Sequence, residues 1–400
     1  MGLNETPMGE RTHIGFFGLR NAGKSSVVNA FTNQQLAIVS DVKGTTTDPV
    51  TKAMELLPIG PVTIIDTPGI DDEGSLGEMR VQRCRNVLAK VDIAILVVDG
   101  NRGMEDGDRD LLQLIGERKI PYIIVYNKAD LIKNQSGKPE ESGDMQKDNE
   151  IWVSAKTNEN IVALREMVSR LRPDSVNERH LVADFIKAED VVVLVVPIDS
   201  SAPKGRLILP QQQAIRDILE VGGISMVTRD SELAATLASL KKPPRLVITD
   251  SQALSIVKDI VPKDVPLTTF SILMARYKGT LTPMVEAAKS IDTLPEGAHI
   301  LISEGCSHHR QCEDIGTVKL PKWMEEYTGK HFQYDFTSGG TFLTEEELNH
   351  YDLVVHCGGC MLTPNEMAYR VKCAGIAHVP ITNYGVMIGY MNGVLNQLTY

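Results

Sequence analysis

Four hundred residues exceed what one ordinary hydrophobic core organises, so the chain reads as two or three domains. Its 42% hydrophobic content is that of a globular protein, and no apolar run approaches the roughly 20 residues a membrane-spanning helix needs. A net charge of −11 argues against nucleic acid as a ligand, and six cysteines are too few for a disulfide scaffold. Clustered cysteines in such a chain suit metal ligation in a reducing, cytoplasmic setting. The opening Met1-Gly-Leu-Asn-Glu-Thr-Pro7 lacks the basic and apolar segments of a secretory leader.

Residues 1–173 alternate short apolar strands with amphipathic segments, the pattern of a doubly wound α/β domain. His13–Phe17 is a strand that enters Gly18-Leu-Arg-Asn-Ala-Gly23-Lys24-Ser25, and a helix opens at Ser25. This is a phosphate-binding loop. Its glycines let the backbone curl, so that N–H groups from Gly18 through Asn21, Ala22, Gly23 and on to Ser26 turn towards phosphate. Lys24 reaches the β- and γ-phosphates, and the Ser25 hydroxyl ligates Mg²⁺.

Val62–Ile65 is a strand ending in Asp66-Thr-Pro-Gly69. Asp66 there can hold Mg²⁺ through water, and the Gly69 N–H can sense a γ-phosphate. Ile93–Val98 and Tyr122–Tyr126 are continuous apolar runs, typical of buried parallel strands. The second leads into Asn127-Lys128-Ala-Asp130, whose aspartate can accept two hydrogen bonds from guanine and none of that kind from adenine. Ser154-Ala155-Lys156 supplies a backbone N–H for guanine O6. In this order the set selects GTP. The polar stretch Lys133 to Glu150 reads as a surface insertion.

This part of the chain resembles the translation-factor-like GTPases, particularly the bacterial tRNA-modification and ribosome-assembly branch. By that resemblance Gly44-Thr45-Thr46 is the first switch, with Thr46 the Mg²⁺ ligand and Thr45 the alternative. The resemblance also implies that Asn21 helps bind K⁺, a charge stabiliser, so that Lys24, Asn21 and Thr46 carry catalysis. Ile70 stands where Ras-like enzymes place a water-orienting glutamine, so unaided hydrolysis should be slow.

Residues 174–266 read as a second α/β unit, with strands at Val191–Ile198, Ser225–Thr228 and Arg245–Thr249 and helices at Gln211–Glu220, Ser231–Leu240 and from Gln252. Nothing catalytic stands out here, which suits a scaffold or subunit interface. Residues 267–400 are the third α/β unit. Two strands, Ala298–Ser303 and Tyr351–Val355, run into Cys306-Ser-His308 and His356-Cys357-Gly-Gly-Cys360. Helices are expected at Thr341–Asn349 and Pro364–Cys373, and no repeat at a fixed period is visible.

Thiolates favour Zn²⁺ or an iron–sulfur cluster. A zinc site of three cysteines and one histidine and a 4Fe–4S cluster with three cysteines both fit these spacings. Cys84 and Cys373 read as plain core residues, and Cys312 as a loop thiol, with metal ligation as its alternative.

The combination of Cys306-x-His308, the distant His356-Cys357-x-x-Cys360, the nucleotide loop and a middle α/β unit resembles the maturation GTPases of FeFe-hydrogenases, the HydF family. The resemblance covers essentially the whole chain. It implies a 4Fe–4S cluster on Cys306, Cys357 and Cys360, with a fourth ligand among His308, His356, Glu304, Glu313, Asp314 or an exogenous group. It further implies a scaffold that receives a transient diiron precursor from two radical-SAM maturases and delivers it to hydrogenase apoprotein, and a homodimer formed through the middle domain. The competing expectation is a GTPase with a structural zinc site that acts in RNA modification or ribosome assembly. A redox enzyme with a nucleotide-gated cluster lacks a second cofactor motif.

Overall fold

The computed structural model describes residues 6–33, 50–67, 84, 86–132, 148–171, 179–198, 207–305, 314–339 and 342–395. Thr45, Thr46, Gly69, Ile70, the 133–147 stretch, Cys306, His308, Cys312 and Glu313 lie outside the described residues. The chain forms two compact units, 1–178 and 179–400.

The first unit holds a six-stranded sheet in the order β2-β3-β1-β4-β5-β6. Its strands are β1 (Thr12–Phe17), β2 (Val50–Leu56), β3 (Gly60–Asp66), β4 (Ile93–Asp99), β5 (Tyr122–Asn127) and β6 (Glu150–Trp152). All neighbours are parallel except β2 and β3. Parallel strands covered on both faces need apolar side chains on both, which explains the unbroken run at β4. Ile95 and Val97 face Val27, Val28 and Phe31 of helix α1 (Lys24–Thr32) and Leu164 and Val168 of α3 (Ile161–Arg170). Ala94, Leu96 and Val98 face Leu111 and Ile115 of α2 (Asp106–Glu117).

The second unit holds two four-stranded parallel sheets, and they are copies of one topology. One comprises β7 (Val191–Val195), β8 (Ile224–Thr228), β9 (Leu246–Thr249) and β10 (Leu267–Thr269), in the order β10-β9-β7-β8. The other comprises β11 (His299–Glu304), β12 (Gln333–Ser338), β13 (Leu353–His356) and β14 (Ile381–Asn383), in the order β12-β11-β13-β14. Read from the opposite edge, the orders are identical.

The register agrees strand for strand. Val192 pairs with Leu246 as Ile300 pairs with Leu353, and Thr268 pairs with Ile248 as Thr382 pairs with Val355. The helices follow suit. In the first copy they are α4 (Leu209–Glu220), α5 (Leu233–Ser239), α6 (Leu254–Ile260) and α7 (Phe270–Tyr277), followed by α8 (Leu281–Ala288), which leads into the second copy. In the second they include α9 (Leu320–Thr328), α10 (Pro364–Ile376) and α11 (Tyr384–Met391). Helices α4 and α9 both begin Leu-Pro, proline being tolerated in a first helical turn that has no intrahelical N–H to satisfy. Helices α7 and α11 follow the fourth strand in each copy and are capped alike, by Thr269 on Ile272 N and by Asn383 on Val386 N.

The duplication has no fixed period, which is why none is visible in the sequence. The matching segments are Val265-Pro-Leu-Thr-Thr-Phe270 and Val379-Pro-Ile-Thr-Asn-Tyr384. The offset drifts from 107 residues at Val247 and Val354 to 114 at Thr268 and Thr382, so no single period exposes it. The expected 266/267 division falls immediately before β10, which is the edge strand of the first copy.

One core joins the copies. Val193 and Val247 of the first share a cluster with Ile300, Ile302 and Val355 of the second. Their contacts are reciprocal. A Cβ on Gly385 would lie 2.9 Å from Ser251 Oγ, and a Cβ on Gly358 would lie 2.9 Å from Ser271 Oγ. Under the duplication Ser251 matches Gly358 and Ser271 matches Gly385, so this is one contact made twice.

Candidate functional site

The phosphate loop of the first unit leaves β1 at Gly18 (φ +149°), where an added Cβ would stand 2.2 Å from Val97 O. It enters α1 at Gly23 (φ +83°), where a Cβ would meet Asn127 Nδ2 at 2.3 Å. Both positions therefore demand glycine. Asn21 is also left-handed, at φ +65°. Lys24 opens α1 and is buried; its Nζ lies 3.3 Å from Asp66 Oδ1, and Ser25 Oγ donates to Asp66 Oδ2 at 2.9 Å. Lysine, serine and aspartate thus converge where β1 and β3 end side by side. Two hard oxygen donors in contact suit Mg²⁺, so Ser25 and Asp66 fit the expected ion.

Asn127 ties two loops together. Its Nδ2 donates to Ala22 O at 3.0 Å, and its Oδ1 accepts from Ala155 N at 3.1 Å. Lys128, at φ +69°, donates from Nζ to Asn21 O at 2.7 Å and to Asp99 Oδ2 at 2.6 Å. Ser154 Oγ donates to Asp130 Oδ1 at 2.7 Å, orienting the carboxylate expected to read the base. The structure therefore brings together the phosphate loop, Asp66, Asn127, Lys128, Asp130, Ser154 and Ala155, with Lys156 next in the same loop. Sequence reasoning missed Asp99. Its signal is register, because the last residue of β4 stands opposite Asn127.

The cysteine site lies at the seam of the two copies in the second unit. Strand β13 ends at His356, and Cys357 N continues the ladder by donating to Ser303 O at 2.9 Å. Cys357 Sγ accepts N–H groups from Gly305 at 3.2 Å and Gly359 at 3.4 Å. Gly359 turns the loop at φ +63°, and a Cβ there would meet Met367 Sδ at 2.8 Å. Half-buried Cys360 packs against the first copy's core cluster, which includes Leu273 and Met274.

Lys278, also from the first copy, is buried and donates from Nζ to Leu362 O at 2.7 Å and to Gly359 O. Burial raises the pKa of Cys357, opposed by the two N–H bonds, and raises that of Cys360, opposed by the Lys278 ammonium. Burial lowers Lys278 to about 8, opposed by the pull of the two cysteines. Burial therefore keeps both thiols harder to ionise than a free cysteine, and the N–H donors and the Lys278 ammonium offset part of that cost for the thiolate form that soft metals take. The donor set at Cys357 and Cys360 therefore fits a thiolate-bound metal group. Among the described residues, no three histidine, cysteine, aspartate or glutamate side chains gather into a metal site.

His356 serves differently from the expectation that it could ligate metal. It is fully buried, with Nδ1 2.7 Å from Cys357 O and Nε2 2.9 Å from Arg370 Nη1. Arginine only donates, so Nε2 accepts and Nδ1 carries the proton. Both ring nitrogens are thereby used. Burial, reinforced by Arg370, lowers its pKa to about 3 and keeps the ring neutral. Arg370, itself buried, also pairs with Glu366 at 3.1 Å and donates to Gly339 O at 3.2 Å. Asp314 accepts from Thr317 N and Oγ1 at 2.9 and 3.0 Å, a helix-capping role. Buried Glu304 receives the Tyr384 hydroxyl at 3.4 Å. Cys84 and Cys373 are buried in apolar cores.

Three family models match the chain: a 50S ribosome-binding GTPase over residues 13–128, a hydrogen maturase F dimerization domain over 181–279, and a hydrogen maturase F tetramerization domain over 282–399. The last two correspond to the two copies. The tRNA modification GTPase MnmE of Laribacter hongkongensis is 32% identical over 160 residues, 40% of this chain and 34% of that protein. MnmE of Desulforamulus reducens is 38% identical over 119 residues, 30% of this chain and 25% of that protein. The chain thus spans about a third or less of the length of these relatives. A crystal structure of Aquifex aeolicus Era bound to GDP and aluminium fluoride is 18% identical, with a TM-score of 0.35, and covers 55% of this chain and 94% of that one.

Proposed function

The chain belongs to the hydrogen maturase F family, and on that premise we propose that it is a GTP-hydrolysing scaffold for assembly of the FeFe-hydrogenase active site. In this reading residues 1–173 bind GTP, 174–266 mediate dimerisation and 267–400 hold the cluster. Lys24 and the loop N–H groups bind the phosphates. Ser25, Asp66 and Thr46 hold Mg²⁺, and Asn21 helps place K⁺. Asp130, oriented by Ser154, reads guanine, and Asn127 keeps the base-reading loop in register with the phosphate loop. Gly69 senses the γ-phosphate.

Cys306, Cys357 and Cys360 hold a 4Fe–4S cluster, which supplies an iron–sulfur platform for a transient diiron precursor. That precursor comes from two radical-SAM maturases and passes to the hydrogenase apoprotein in the cytoplasm. The observation that carries the reading is the environment of Cys357: two backbone N–H groups on its sulfur and a buried lysine on its loop. Self-association has a physical basis in β8, an edge strand with exposed Ile224 and Val227 that offers a row of backbone groups to a second copy.

Anaerobic reconstitution with iron and sulfide, followed by EPR of the reduced protein, tests the cluster. A fast-relaxing S = 1/2 signal that Cys357→Ala loses is the expected result. About one tight zinc per chain in place of that signal would overturn the scaffold reading in favour of a structural-zinc GTPase. Turnover of GTP is expected to be higher in K⁺ than in Na⁺; equal rates would remove the role given to Asn21.

A further inference from the structure

We propose that Lys278, contributed by the first copy, is the positioning residue and counter-charge of the thiolate site carried by the second. The inference rests on the cluster reading above and adds to it a group outside the cysteine motif. Lys278 stands at the C-terminal cap of α7, where helix carbonyls favour a cation. It is 4% exposed, and its hydrogen bonds go to two backbone carbonyls of the cysteine loop, at Gly359 and Leu362. Neutral carbonyls do not balance a buried ammonium, and an unbalanced buried charge is costly.

The nearby carboxylate, Glu366, already has a buried partner in Arg370 at 3.1 Å. In the loop that Lys278 holds, the groups that become anionic on binding a metal are Cys357 and Cys360. The duplication supplies an internal control. The position equivalent to Lys278 in the second copy is the C-cap of α11, occupied by neutral Asn392, and the first copy's loop, Asp250–Ala253, contains no cysteine. The buried cation occurs in the copy that faces cysteines and not in its counterpart. The same bonds fix the loop: Lys278 holds the carbonyls on either side of Cys360, so it sets where the two sulfurs stand.

Three variants separate charge from tethering. Lys278→Arg keeps both, Lys278→Gln keeps hydrogen-bond donors without charge, and Lys278→Met keeps neither. Each full-length protein is reconstituted with iron and sulfide, desalted, assayed for iron and titrated by EPR for its reduction potential. Iodoacetamide labelling of the metal-free proteins reads the loop independently. The expected result is several-fold lower iron retention and a more negative potential in the Gln and Met variants, with Arg close to the parent. Labelling of Cys357 and Cys360 is expected to rise in Met and to stay near the parent in Gln. If Lys278→Met does not fold, Lys278→Gln alone carries the test. Parent-like iron content and potential in Lys278→Gln would overturn the counter-charge. Should the unmodified protein assemble no cluster, the underlying reading falls, and the inference with it.

Discussion

The two copies within residues 179–400 share strand order, register and helix caps, yet their third strands open into different chemistry. Leu246-Val-Ile-Thr249 runs into Asp250-Ser-Gln-Ala253, whereas Leu353-Val-Val-His356 runs into Cys357-Gly-Gly-Cys360. In the first copy Asp250 accepts Gln211 Nε2 at 2.8 Å, an ordinary structural bond. In the second, the matching residue is a cysteine with two N–H groups on its sulfur. Scaffold geometry is thus common property, and the copies differ in a few residues at one strand end, which is where a fold carries a function grafted onto it. The strand end is the natural place for them, because open parallel sheets present their loops beyond the carboxyl edge.

Cys357→Ala together with Cys360→Ala should abolish cluster binding, while Asp250→Ala at the matching position should leave iron content at the parent level. Equal losses from both would erase the asymmetry. Arg370→Ala should destabilise the second unit by about 3–5 kcal/mol in a urea titration, because it strands buried His356 and Glu366. An effect below about 1 kcal/mol would show that this network is not what fixes the end of β13. Lys24→Ala should slow GTP hydrolysis roughly 10²–10³-fold by removing a charge on the transferred phosphate. Iron content should be unchanged, which keeps the nucleotide and metal functions separable; a parallel loss of iron would join them. The smallest effect probes the symmetry itself. Thr269→Ala and Asn383→Ala remove equivalent helix caps and should each cost about 1 kcal/mol. A large inequality between them would mark one copy as the more strongly held.

The nucleotide site was readable because its parts are short, contiguous and placed at strand ends. Gly18 to Ser25, Asp66, Asn127 to Asp130 and Ser154 to Lys156 each declare themselves within a few residues. The cross-links among them, such as Lys128 to Asp99, depend on strand register and were not. Strand β12, Gln333-Tyr-Asp-Phe-Thr-Ser338, was overlooked because it is an edge strand with mostly exposed side chains, and its alternation is weak. The expected helix at Thr341–Asn349 shrinks to one turn, Glu345–Leu348, capped by Thr344. Glu345, Glu346 and Glu347 sit in that single turn.

The cysteines were visible, but their surroundings were not. Lys278 lies 79 residues before Cys357 and belongs to the other copy, so no local pattern connects them. His356 is a ligand candidate in the sequence through its place beside Cys357 and through the family resemblance. Burial and Arg370 give it a purely internal duty that only three-dimensional placement discloses.

The small residues at the seam carry a consequence for how such a chain could arise. Gly385 admits Ser251, and Gly358 admits Ser271, so the same close approach is made from both sides. Two identical halves meeting this way would have been obliged to change together, since every substitution would appear on both sides at once. Joining them in one polypeptide removes that obligation. One half can then acquire cysteines while the other acquires the lysine that faces them. Because the halves share a chain, their encounter no longer depends on protein concentration, so dilution cannot part them.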